Sequence, residues 1–229
     1  MTINSSQLGK ANYVPLMAKE GCAGAVAKIV TPIDPGRAEL IESASFWYGL
    51  RSESVPNRFA IFDLFADGAA RSAYVERGGP ARLQEQASTL VEHEVLANVC
   101  LYEVVGSLVP NETAIVTHVT HASFEVEPNE TETVERWLRD APSQIASSVP
   151  SAAHWYGLRD EQRPGHYAIV TLRGTEGARP LRERGDLSST LAASGLLAPT
   201  PTALRHVPTV VIDYEVLYSK EPSMPKVPE

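Results

Sequence analysis

The spacing of apolar and polar positions along the chain predicts a short series of elements. TyrValProLeuMetAlaLysGlu, residues 13–20, partly alternates and reads as a first strand, with Pro15 near its start or on an edge. Gly21 breaks it. From Cys22 to Thr31 the apolar residues Ala25, Val26, Ile29 and Val30 recur at helical spacing, which predicts an amphipathic helix. Pro32 and Pro35 interrupt that helix, and a turn through Leu40 and Ile41 resumes before Ser43. Residues 45–51 read as an aromatic-rich strand and 51–58 as a polar turn. PheAlaIlePheAspLeuPhe, 59–65, is almost continuously apolar, the pattern of a strand covered on both faces. Two helical stretches at about 67–77 and 80–91, split by Gly78-Gly79-Pro80, precede a closing strand at 94–105. The order β-α-β-β-α(α)-β is that of a ferredoxin-like, split βαβ unit.

The chain then spells this unit a second time. SerAlaSerPheTrpTyrGlyLeuArg at 43–51 returns as SerAlaAlaHisTrpTyrGlyLeuArg at 151–159, seven identities in nine positions at an offset of 108 (155 − 47). TyrGluVal recurs at 102–104 and 214–216, so the loop around Pro199 and Pro201 holds a net four extra residues. The second copy predicts strands at 114–126, 152–159, 166–173 and 207–218, a helix at 129–146, and helical stretches at about 175–184 and 186–196. The domain reading is a flexible N-terminus at 1–12, one unit at 13–109, a second at 110–219 and a proline-rich tail at 220–229. In the 59–65 strand, Phe59, Ile61 and Phe65 lie on one face and Ala60, Phe62 and Leu64 on the other. Helices on one side leave the second apolar face bare. The expected solution is sheet against sheet: an α+β pseudo-dimeric α/β barrel made of two ferredoxin-like domains with antiparallel sheets. Pairing of each half with another chain, as a homodimer, is the alternative.

Composition changes this picture little. A net charge of −8, spread along 229 residues, argues against a nucleic-acid groove. No apolar run approaches a membrane span and no signal region opens the chain, so neither nucleic acid nor membrane is an expected partner. Cys22 and Cys100 make neither a disulfide framework nor a metal pattern, and a cytoplasmic setting is expected. His118 and His121, three apart on a strand, point to opposite faces and form no ready metal pair. No phosphate-binding glycine motif occurs.

The run ValProLeuMetAlaLysGlu, the helix after it, then TrpTyrGlyLeuArg, PheAlaIlePheAspLeuPhe and AspGlyAlaAlaArgSerAlaTyr resemble the antibiotic-biosynthesis monooxygenase family, closest to its quinol-monooxygenase-like branch. The resemblance implies a dimeric α/β barrel. It also implies oxidation of a quinol, anthrone or related aromatic polyketide by molecular oxygen, with no resident metal or other cofactor; flavin and heme stay open. Asp63 matches the family's strand-three acid and Arg71 the arginine of its second helix, while Tyr74 replaces a helix histidine, which weakens a heme-degrading reading. In the second copy Thr171 stands in place of Asp63, and Arg182 or a neighbour in place of Tyr74, so a single working pocket is expected in the first half.

On this reading Asp63 accepts a proton, since oxidation without a cofactor requires a deprotonated, electron-rich substrate. Tyr74 and Tyr48 orient a substrate hydroxyl. Trp47, Phe62 and Phe65 supply walls for a small aromatic substrate, with Arg51, Arg71 and His154 as further binding residues. Structural roles compete for each: hydrogen-bonded core for Asp63 and the tyrosines, packing at the sheet interface for Trp47, and a charge closing the strand for Arg51. Two other functions share the pattern, a non-catalytic binding scaffold and an aromatic polyketide cyclase or isomerase.

Overall fold

The computed structural model describes residues 8–31, 40–109, 115–145, 154–174, 184–186 and 207–220. Their elements are β1 (Lys10–Met17), α1 (Ala23–Val30), β2 (Phe46–Ser52), β3 (Arg58–Phe65), α2 (Gly68–Glu76), α3 (Gly79–Ala87), β4 (Cys100–Leu108), β5 (His118–Glu125), α4 (Thr131–Ile145), β6 (His154–Asp160), β7 (His166–Arg173), β8 (Arg184–Asp186) and β9 (Pro208–Lys220). Short 3-10 turns cover Leu40–Ser43, Leu96–Asn98 and Pro128–Glu130. The described part of the chain is an α+β fold.

All neighbouring strands run antiparallel in the order β2-β3-β1-β4-β6-β7-β5-β9, and β9 pairs back with β2. Eight strands therefore close a barrel, with β8 appended to the start of β9. The expected stacking of two sheets is corrected here: the sheets join edge to edge, at β4–β6 and at β2–β9. Each of these two seams carries a register shift, Gly49/Leu50 in one and Val104/Gly106 in the other. Such bulges sharpen twist and bend a strand, which curls the sheet toward closure. Closure also leaves none of the eight strands as an edge strand of the sheet.

The alternation along each strand divides three cores. Phe46, Tyr48, Phe62, Leu64, Tyr102, Tyr156, Leu158, Val170 and Tyr214 point inward and fill the lumen. Phe59, Ile61 and Phe65 point outward beneath α1, α2 and α3, with Trp47, Val26, Val30 and Leu83. Trp155, Ile169 and Tyr167 lie outward beneath Val134, Trp137 and Leu138 of α4. Trp47 thus packs under a helix, not between sheets as expected. The repeated Trp-Tyr-Gly has a packing cause: each indole lies over its own glycine, and each glycine admits a helix. A Cβ on Gly49 would sit 1.7 Å from the Val30 carbonyl oxygen, and one on Gly157 would sit 2.9 Å from the Leu138 side chain.

Other departures are local. β1 begins at Lys10, inside the stretch expected to be loose, and β4 begins only at Cys100, after the 3-10 turn. Pro15 lies inside β1, where β3 still pairs but β4, which reaches only Lys10–Tyr13, does not, so its missing N–H costs no ladder bond on that side. The helical stretches expected at about 175–184 and 186–196 lie outside the described residues except for 184–186, which form a strand. The linker at 110–112, Arg182 and residues 221–229 also lie outside them. No described helix is long and apolar enough to cross a membrane.

Candidate functional site

The outward row of β3 places Asp63 among Ile61 and Phe65, an acid in an otherwise apolar stripe. Asn12 of β1 is its cross-strand neighbour on one side and Trp47 of β2 on the other. Helix α2 covers the row. Asp67 caps it, its carboxylate accepting from the Ala70 N–H at 2.8 Å. The helix carries Arg71 and Tyr74 toward the sheet on successive turns. Gly79, at the start of α3, leaves room for the Tyr74 ring, because a Cβ there would come within 2.5 Å of it.

Between sheet, α2, α3 and the 3-10 turn lies a cavity of about 420 Å³. Its walls are mostly apolar, with Val14, Leu83, Leu96, Val99 and Leu101, and its polar lining is Asn12, Asp63, Arg71, Ser72, Tyr74, Glu76 and Gln162. Three of these present buried atoms without a partner: Asp63 Oδ1, Asn12 Oδ1 and Arg71 Nη1. Asp63 is 1% exposed, and burial raises its carboxyl from 3.8 to about 7, against the pull of hydrogen bonds from Asn12 and the charge of Arg71. Tyr74 is pushed well above an ordinary phenol by burial and then by Asp63, so it remains a hydroxyl donor. Its ring packs against Phe65 at 5.6 Å. The other face of Arg71 is held by Glu161, whose Oε2 accepts from Nη2 at 2.6 Å, while Lys10 donates to Oε1 at 2.5 Å. Burial raises Glu161, but those two cations outweigh it and hold its pKa below the usual carboxylate value. An acceptor, a cation and a neutral donor thus converge on a mostly apolar pocket, an arrangement able to take a proton from a bound hydroxyl and steady the resulting anion.

The structure brings Asp63, Arg71 and Tyr74 together, with Phe65 behind Tyr74. It separates the other expected site residues from them. Tyr48 and Phe62 point into the lumen, through the sheet from Asp63, so Tyr48 cannot orient a substrate in this cavity. Trp47 faces outward but meets Tyr218 at 5.6 Å. Arg51 is exposed at its strand and pairs with Glu215. His154 lies in the lumen against Phe46 at 5.8 Å and is lowered to about 4 by burial. Among the described residues no group of three His, Cys, Asp or Glu side chains could hold a metal.

Sequence reasoning missed Asn12, Glu161, Gln162, Leu96 and Val99. Asn12 fell in the stretch read as loose, Leu96 and Val99 in the stretch read as a closing strand, and Glu161 reaches Arg71, and Gln162 the cavity, only across the β4–β6 seam. The repeat offered a signal: Asn12 and Thr120, 108 apart (120 − 12), are both polar inside strands. The contacts recur with it, since Glu53 meets His118 at 3.4 Å and Glu161 meets Lys10, both partners again 108 apart (161 − 53 and 118 − 10). At the matching place in the second half Thr171 stands where Asp63 does, with its Oγ1 buried and without a partner among the described residues, while Thr120 beside it is engaged. Thr120 Oγ1 donates to Asp213 at 2.5 Å and accepts from Arg173 at 2.9 Å.

Neither a protein-family model nor a curated protein sequence matches the chain. Solved structures do. A protein from Lactobacillus acidophilus named provisionally as a monooxygenase aligns with a TM-score of 0.65 over 93% of this chain and 96% of its own, at 8% identity. One from Fusobacterium nucleatum, named in the same provisional way, gives 0.64 over 93% and 94% at 9% identity. An anthrone oxidase-like protein gives 0.56 over 96% and 97% at 11% identity. The likeness is one of fold. It spans nearly the whole of each chain, so the barrel and its covering helices are shared with proteins bearing those names.

Proposed function

We propose that this protein is a monooxygenase that oxidises a quinol, anthrone or related phenolic aromatic with molecular oxygen, in the cavity under α2 and α3 and without a resident cofactor. The observation that carries the reading is Asp63: buried, raised to about 7, and presenting an unpartnered oxygen to a mostly apolar cavity. Asp63 takes the proton of the substrate hydroxyl. The anion left behind is electron-rich enough to pass an electron to oxygen, and the apolar walls keep water from quenching it. Tyr74 donates a hydrogen bond to the substrate, and Arg71 Nη1 faces the developing oxyanion. The names carried by the fold neighbours point to the same reaction class.

The chemistry belongs to the first half on this reading, because Thr171 stands where Asp63 does and supplies no carboxylate to take a proton. We read the halves as copies of one ancestral unit arranged as a pseudo-dimer. The 108-residue offset shared by sequence and contacts supports this, and the barrel closes within one chain, so no second copy is needed to complete it.

Oxygen uptake with a panel of naphthoquinols and anthrones tests the proposal. Uptake that disappears in Asp63→Asn is expected. Product formed without oxygen consumption would replace the oxygenase by a cyclase or isomerase, and binding without turnover across the panel would leave a scaffold.

A further inference from the structure

A second cavity, of about 300 Å³, lies on the other side of the same strands. Along β1 and β4, Asn12, Val14 and Leu101 face the cavity under α2, whereas Tyr13, Pro15, Cys100 and Tyr102 face this one. It opens where β1 loses its β4 neighbour beyond Tyr13, at the end of the lumen where β3 and β9 begin.

The charge here runs against the chain. The protein carries 28 acidic and 20 basic residues, yet among the described residues no carboxylate lines the cavity, which takes Arg58, Arg163, His93 and His121. Arg163 is held by Asp160 at 2.6 Å and reaches the Cys100 sulfur at 3.3 Å. Arg58 has no ion pair among the described residues, so its guanidinium is the cation left for a ligand. Deeper in, His121 is 4% exposed and its ring stacks on Tyr13 at 4.0 Å. Its Nδ1 finds no partner outside its own residue. Burial lowers it to about 4, so near neutral pH it offers a hydrogen bond without charge. Pro15, Met17 and Ile212 complete an apolar floor.

We propose that this barrel mouth binds a small aromatic carboxylate, its anion on Arg58 and its ring over the Tyr13–His121 stack. The volume sits at the low end for ligand pockets, room for one or two fused rings. A carboxylate desolvated beside an unpaired guanidinium gains a charge-assisted bond, and a flat apolar body gains the aromatic wall. The site is independent of the proposed oxidation.

Cys100 lines the cavity and Cys22, at the start of α1, does not, so alkylation by iodoacetamide, followed by peptide mass spectrometry on the full chain, reports occupancy with an internal control. Naphthoate is expected to slow modification of Cys100 and leave Cys22 unchanged, while the neutral isostere naphthamide protects neither. Arg58→Gln should raise the naphthoate concentration needed about ten-fold or more, as loss of a hydrogen bond to a charged group requires. Arg58→Lys should restore part of it, and Met17→Trp, which fills the mouth, should abolish protection without touching Arg58. Asp63→Asn should leave protection intact, which separates this site from the cavity under α2. No protection at about 10 mM naphthoate, the limit of meaningful affinity, would overturn the proposal. Equal protection by the amide, or an Arg58→Gln protein indistinguishable from wild type, would do the same.

Discussion

Replacing Asp63 by Asn isolates the energetic cost of keeping an acid in the wall of the cavity. A carboxyl raised from 3.8 to about 7 by burial has lost about 4 kcal/mol of ionisation free energy, at 1.36 kcal/mol for each tenfold change. Below pH about 4 the folded and unfolded chains both hold the proton, and Asp63 exacts nothing. Between about 4 and about 7 the unfolded chain releases the proton and the folded chain retains it, so stability falls as pH rises. Above pH about 7 the full penalty stands. Asn keeps the shape and never ionises. The Asn variant should therefore match wild type near pH 4 and exceed it by up to about 4 kcal/mol at pH 8, roughly 8–16 °C in Tm for a chain of this size. Urea denaturation of both proteins at half-unit steps from pH 4 to 8 gives the difference directly, and every other titrating group cancels in it. The turnover of wild type should rise over the window in which its stability declines, because one ionisation governs both. A stability difference that stays flat with pH would refute the buried, proton-holding state of Asp63 and, with it, the assignment of the base.

The face occupied by each tyrosine can be separated by kinetics: Tyr74→Phe should lower kcat/KM for the proposed oxidation by about ten- to a hundred-fold, the worth of one donor hydrogen bond, while Tyr48→Phe leaves it unchanged. Glu161→Gln removes the anion that holds Arg71, so KM should rise several-fold with a smaller change in kcat, as steady-state kinetics will show. Gly49→Ala forces α1 off β2, because the new methyl meets the Val30 carbonyl oxygen. Thermal unfolding should reveal a loss of about 1–3 kcal/mol or more, the usual cost of overpacking.

Much of this protein was written in local pattern. The near-continuous apolar run of β3 announces a strand buried on both faces, and its two parities divide as lumen and helix-covered core in the structure. Helical spacing at 22–31 and 129–146 and the Gly78-Gly79-Pro80 break locate α1, α4 and the α2/α3 boundary to within a few residues. Such signals survive because side-chain period and turn chemistry act over a few residues. Asp63 with Arg71 and Tyr74 was legible for the same reason, since β3, the Asp67 cap and α2 follow one another without interruption.

Sequence alone could not say which face of β2 met Asp63. Trp47 and Tyr48 are equally aromatic, and a one-residue choice of parity sends one under α1 and the other into the lumen. Nor could it bring Glu161 to Arg71, because that meeting crosses 90 positions (161 − 71) and exists only once the β4–β6 seam has formed. Strand identity is a property of a few neighbouring side chains, whereas the cavity, its unpartnered atoms and the raised Asp63 arise where β1, β3, α2, α3 and the approach to β4 pack together and shield one another from water.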